Sequence, residues 1–111
     1  MMTTKISILY TTVTSLNVAE PIAAKSIEDK LATCVNIIPG CMSIYAKDGK
    51  IMKGTECYLI FKTTTDKINL LKEWLKDNHP YDLPAILEWD ATSSPEFIEY
   101  IESAVRNFGP N

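Results

Sequence analysis

Three cysteines, a single histidine and a small set of carboxylates and lysines are the residues here whose types could do chemistry. Cys34, Cys41 and Cys57 are spaced by seven and sixteen residues, which fits neither a Cys-x-x-Cys redox pair nor a structural zinc framework. An odd number without a framework points to free thiols in a reducing compartment. Cys34 has two readings: a small buried hydrophobe, or a soft thiolate for Cu(I), which prefers sulfur. His79, between Asn78 and Pro80, either fixes a helix-to-strand turn by a hydrogen bond or ligates a metal. One histidine cannot build a mononuclear zinc site, which needs three or four protein donors. It would have to gather with copies of itself or with a neighbouring chain's groups. Glu56, Tyr58, Ile60 and Lys62 alternate onto one strand face. Charge on that otherwise apolar face reads either as an interfacial ion pair or as a polar cleft for a small anion or metal. Glu28, Asp29, Glu96, Glu99 and Glu102 read as solvated helix faces.

These side chains need a scaffold, and the pattern supplies one. "KISILYTTV" (5–13) is rich in β-branched residues with partial alternation and predicts a first strand. Asn17 followed by Glu20 resembles a capping box, with Pro21 in the first turn. Apolar or small residues at Ala19, Ile22, Ala23, Ser26 and Ile27 then predict a helix ending near Leu31. "TCVNII" is a second strand, bent by a bulge at Pro39-Gly40 and continued by "CMSIYA". Asp48-Gly49 predicts a two-residue turn into a third strand over 51–64, so the long hairpin projects from the body. In that register Cys41 faces Glu56, Cys57 lies on the other face, and a Cys41–Cys57 disulfide would need a shift of the ladder. A second helix over 67–77, capped by Thr65 or Asp66, buries Ile68, Leu71, Trp74 and Leu75. Pro80 and Pro84 break the chain before a short strand "AILEW" (85–89). A third helix starts at Ser93 or Ser94, carries a stripe of Phe97, Tyr100, Ile101, Ala104 and Val105, and ends at "FGPN" (108–111).

The resulting order, βαββαβ plus a C-terminal helix, predicts an α+β, ferredoxin-like split-βαβ sandwich, with an antiparallel sheet carrying helices on one face. The 111 residues make one domain over 1–111, burying roughly two-thirds of the unfolded surface. Strand three looks apolar on both faces, so the uncovered face calls for a homo-oligomer that packs sheets together. A net charge of −3, with Arg106 as the only arginine, argues against nucleic acid as partner. No apolar run approaches the roughly 20 residues of a membrane span, and no signal peptide is recognisable. The expected location is therefore cytoplasmic.

With these elements placed, "LATCVNIIPGCMSIYAKDGKI" resembles the CutA divalent-cation tolerance family, with its LAACVN, IP, SxY and GK elements. Glu56, the strand ending Lys62-Thr63, and the His79-Pro80-Tyr81 triplet follow in order and at the right spacing. The similarity covers residues 5 to 106, nearly the whole chain. It implies a homotrimer in which strands extend across subunit boundaries, a role in tolerance of divalent metals, notably copper, and no catalytic reaction. No cofactor is implied beyond copper or another divalent ion. Cys34 matches the family's strand-two cysteine, so Cys34 and His79 are the candidate metal ligands. Tyr45, Lys50, Glu56, Lys62 and Tyr81 are the candidate lining of an inter-subunit cleft that would take a metal ion or small ligand. The chain departs from the family pattern at Lys47 and Tyr100, where tryptophan is common. It departs also at Ala85, usually glutamate, and at Thr11, where some members carry cysteine.

A regulatory module with a small molecule between subunits is the alternative function. An acylphosphatase-like enzyme would need an anion clamp, usually arginine, after strand one, and "TTVTSLN" has no basic residue. An RNA-binding sheet would need a basic-Gly-aromatic signature on strand three and a basic surface, and both are missing.

Overall fold

A computed structural model describes residues 4–107. Seven elements follow in the order β1 (Lys5–Val13), α1 (Leu16–Glu28), β2 (Cys34–Lys47), β3 (Lys50–Thr63), α2 (Ile68–Asn78), β4 (Leu87–Thr92) and α3 (Pro95–Asn107). The four strands form one antiparallel sheet in the order β2-β3-β1-β4, the split-βαβ arrangement expected from the element pattern. Among the described residues, no helix is long and apolar enough to cross a membrane.

Alternation on the central strands sorts the core. Leu9, Thr11 and Val13 of β1 lie opposite Phe61, Leu59 and Cys57 of β3, and all six are almost wholly buried. They pack with Ala19 and Ala23 of α1 and with Ile68, Leu71 and Leu75 of α2, Thr11 apart, in the main apolar cluster. The opposite parity carries Ile6, which clusters with Ile98 and Ile101 of α3, with Ile8, Ala91 and Phe97 packed against them. The third helix therefore lies on the other face of the sheet, correcting the expectation of helices on one face. The reason is physical: α1 and α2 already cover the first face, so the apolar stripe of α3 finds its partner across the sheet. That stripe is Ile98, Ile101 and Val105, while Tyr100 is exposed, a rotation of the stripe read from sequence.

Other boundaries shift for local reasons. Helix α1 starts after Ser15, not at Asn17, and Pro21 lies inside it. Pro21 is exposed, and so is Asn17, whose carbonyl loses its amide partner there to water. The helix closes before Leu31 because Lys30 adopts a left-handed φ of 60° and the Leu31 amide returns to the Ser26 carbonyl. At α2 the N-cap position is Lys67, with no side-chain cap from Thr65 or Asp66. Strand β4 begins at Leu87, two residues later than read, because the Ala85 carbonyl accepts a hydroxyl proton from Thr11 instead of joining a ladder. Ser94 caps α3 through its hydroxyl, 3.3 Å from the Phe97 amide. The "FGPN" segment falls outside the described residues.

The hairpin follows its sequence signals. Lys47 pairs with Lys50, and Asp48 and Gly49 both take positive φ, 51° and 74°, as a type I′ turn requires. A bulge falls between Ile38 and Cys41, with Gly40 at φ 77°. Beyond Cys57, β3 pairs with β2 alone, so the tip is a two-stranded ribbon about 20 Å long.

Candidate functional site

The side chains with the densest polar connections sit at the base of that ribbon. Pro80 cannot continue α2, so the chain turns at His79, whose backbone is extended (φ −81°, ψ 136°) and whose ring is buried against the end of β1. Nδ1 accepts the Tyr81 backbone N–H at 3.1 Å, which leaves the ring proton on Nε2. Nε2–H points at the Thr12 carbonyl, 2.9 Å away, and at Thr11 Oγ1, 3.0 Å away. The Thr11 hydroxyl sends its own proton to the Ala85 carbonyl at 2.6 Å. Both ring nitrogens are thus engaged inside the chain. Burial pushes the imidazole below its ordinary range, against the opposing pull of the Thr12 carbonyl and Glu56.

The turn that His79 fixes delivers Tyr81 to Glu56. The His79 and Tyr81 rings meet edge-on with centroids 4.9 Å apart, and the Tyr81 hydroxyl donates to Glu56 Oε2 at 2.7 Å. Ser43 donates to Oε1 at 2.6 Å, and the Thr12 side chain adds a further hydrogen bond. Burial alone would raise the Glu56 carboxyl, but the donors Ser43, Tyr81 and Thr12, with the nearby His79, bring it below its ordinary value. The Tyr81 phenol moves the other way, held well above its usual range by burial and by the carboxylate.

Of the cleft candidates, the structure brings together Glu56 and Tyr81. Tyr45 lies opposite Met52 on the same sheet face as Ser43, exposed and within electrostatic reach of Tyr81. Lys50 sits at the ribbon tip, six residues from Glu56, or about 20 Å along the strand. Lys62 lies at the opposite end, across from Cys34, its ammonium 5.8 Å from the Phe97 ring centroid. Ser43, Thr11 and Thr12 are members of the network that residue types alone did not single out. Ser43 was within reach of the register argument, because a two-residue turn places it two ladder positions from the Cys41–Glu56 pair and so on the same sheet face. The two threonines carry no such local signal.

The metal candidates do not converge within one chain. Cys34 pairs with Lys62 on the ladder, whereas His79 sits by Thr12, whose partner is Tyr58. Four residues of strand, about 13 Å, separate those two rungs. Among the described residues, no group of three or more His, Cys, Asp or Glu side chains could hold a metal ion. The described residues of a single chain therefore supply no preassembled set of three or more such donors. All three cysteines are free: Cys57 is buried, Cys34 and Cys41 half-buried, and Cys41 faces Glu56 across the ladder.

Known proteins agree with the fold. The sequence model described as CutA1 divalent ion tolerance protein matches residues 7–104. The divalent-cation tolerance protein CutA of Thermus thermophilus is 39% identical over 95 residues, covering 85% of this chain and 92% of that protein. The chloroplastic protein CutA of Arabidopsis thaliana is 34% identical over 101 residues, and the chain, covered to 90%, spans only 56% of its length. The crystal structure of the divalent ion tolerance protein CutA1 from Ehrlichia chaffeensis superposes with a TM-score of 0.89 at 33% identity, covering 94% of this chain and 98% of that one. The chain belongs to the CutA1 divalent ion tolerance family.

Proposed function

We propose that this protein is a non-enzymatic homotrimer serving tolerance of divalent cations, copper in particular. Its family membership supports the tolerance role. The observation that carries the oligomer is the sheet face α3 leaves uncovered, where Leu87 is 55% and Trp89 45% exposed beside the half-buried Tyr10, Tyr58 and Ile60. The ribbon adds Ile44 and Ile51, the latter 84% exposed. Apolar area of this kind is normally covered by another subunit. Light scattering should give three times the chain mass at micromolar concentration, and a monomer would refute the assembly. The three free thiols fit a reducing, cytoplasmic location, which fractionation of the tagged protein would test.

Direct metal binding in this reading is weak and centred on the Cys34 thiolate, with His79 secondary because both its nitrogens are occupied. Calorimetric titration of the reduced protein with Cu(I) should show weak binding that Cys34→Ser abolishes. Binding unchanged in that variant would remove Cys34 from the role.

A second reading is favoured by the Glu56 network: a regulatory module taking a small ligand in a cleft formed by Tyr45, Lys50, Glu56, Lys62 and Tyr81, completed between subunits. Ligand-dependent protection of Lys62 from amine-reactive reagents, without metal, would support it.

A further inference from the structure

We propose that Glu56 and the tyrosines around it bind a small organic cation, an alkylammonium or guanidinium group. This rests on the cleft reading above and names its ligand class. Glu56 is a half-buried carboxylate held by hydroxyl groups alone: Ser43 at 2.6 Å, Tyr81 at 2.7 Å and the Thr12 side chain. Hydroxyls satisfy lone pairs without neutralising charge. None of the ion pairs Lys25–Asp29, Lys72–Glu88, Lys76–Glu73 and Arg106–Glu102 includes Glu56. The one imidazole nearby has its nitrogens committed as a neutral ring. A carboxylate has about four acceptor positions, so three donors leave room for one more.

What surrounds this charge is aromatic. Four of the five tyrosines lie on this side: Tyr81 on the carboxylate itself, Tyr45 within electrostatic reach of Tyr81, and Tyr10 and Tyr58 with ring centroids 5.7 Å apart. Glu56 and Tyr58 share a strand face, and Tyr10 feels the Glu56 charge directly. In a cleft completed at the boundary between subunits, neutral aromatic faces around an anion attract a cation that is weakly hydrated and large enough to touch the rings. A hard divalent ion fits poorly, because it seeks six or more oxygen ligands rich in carboxylates and here finds one carboxylate whose hydroxyl neighbours turn their protons inward. An anion would meet the carboxylate itself.

The test is a two-dimensional NMR titration of the full-length protein with tetramethylammonium, n-butylammonium and guanidinium chlorides, with sodium chloride at matched ionic strength as the blank. Saturable shifts are expected at residues flanking Glu56. Glu56→Gln keeps an amide oxygen for the hydroxyl donors and should weaken binding tenfold or more. Tyr45→Ala, at an exposed position, should weaken it several-fold without altering the thermal melt. Shifts identical to those with sodium, or affinity unchanged in both variants, would overturn the proposal. Saturation by acetate but by none of the cations would refute the ligand class while leaving the cleft intact. Silence from every probe would remove both.

Discussion

The bond between Tyr81 and Glu56 is the step that ties the turn after α2 to the hairpin, so its removal tests the site most directly. Tyr81→Phe deletes one oxygen and leaves the ring, with its edge-on contact to His79, in place. The lost interaction is a 2.7 Å hydrogen bond to an ionised carboxylate, a class that contributes roughly 1.5–3 kcal/mol when shielded from water. Both groups are half-buried and Glu56 retains Ser43, so partial solvent rescue brings the expected loss to about 1–2 kcal/mol. With a urea m-value of ~1–3 kcal/mol/M for a chain of this size, the midpoint should fall by about 1 M. Protein concentration must be held fixed, since association shifts apparent stability. The decisive measurement is the double-mutant cycle with Glu56→Gln. A neutral amide oxygen is a weaker acceptor for the phenol, so the two changes should couple by about 1 kcal/mol, with the double variant losing less than the sum. Additive losses, or a Tyr81→Phe effect below about 0.5 kcal/mol, the ordinary range for a surface change, would refute the view that this bond fastens the turn to the hairpin.

Thr11→Val should destabilise by about 1 kcal/mol in the same assay: it removes the acceptor of His79 Nε2–H and the donor to Ala85, partly offset by the added buried methyl group. Leu75→Ala, at a wholly buried α2 position in the main cluster, should cost ~2–5 kcal/mol, read as a drop in thermal midpoint without loss of the native spectrum at low temperature. His79 gives a pH signature. Its folded-state pKa lies below the unfolded value of 6.5, so the unfolded chain binds the proton first. Its contribution is fully present above that value and is lost as pH falls below it, with a slope of at most about 1.4 kcal/mol per pH unit. His79→Gln should flatten that part of a stability-versus-pH curve measured by urea unfolding, and an unchanged curve would contradict the buried neutral ring.

Much of the architecture was legible because local rules dominated it. Asp48-Gly49 dictated the turn, the turn dictated the register, and the register placed Cys41 against Glu56 and Cys57 on the far face. The bulge at Pro39-Gly40 followed from a residue that cannot donate to a ladder. The side of the sheet on which α3 packs was not legible. Its stripe could be rotated by one position with little change in pattern, and only competition with α1 and α2 for sheet surface decides the outcome. The Thr11–His79–Ala85 contacts were equally hidden, since residues 68 and 74 positions apart meet there and threonine on a strand ordinarily signals only β-propensity.

Those contacts give the chain's departures from the family pattern a common location. On the resemblance read from the sequence, Thr11 stands where some members would carry cysteine and Ala85 where glutamate would be usual; in sequence the two positions have nothing in common. In the fold, the Thr11 hydroxyl bridges them both to His79, 3.0 Å from the imidazole and 2.6 Å from the Ala85 carbonyl. A thiolate at position 11 would be a second metal-competent donor beside the imidazole. The Thr11 hydroxyl, committed to the Ala85 backbone carbonyl, is not. Thr11 instead holds the neutral tautomer through Nε2–H while the Tyr81 amide closes Nδ1, so a metal ion would have to break one of these bonds to reach a ring nitrogen. A cost of that kind, about 1–3 kcal/mol for a buried group left unpaired, corresponds to roughly a five- to hundredfold loss of affinity. In this chain His79 is the structural pivot that positions Tyr81 on Glu56.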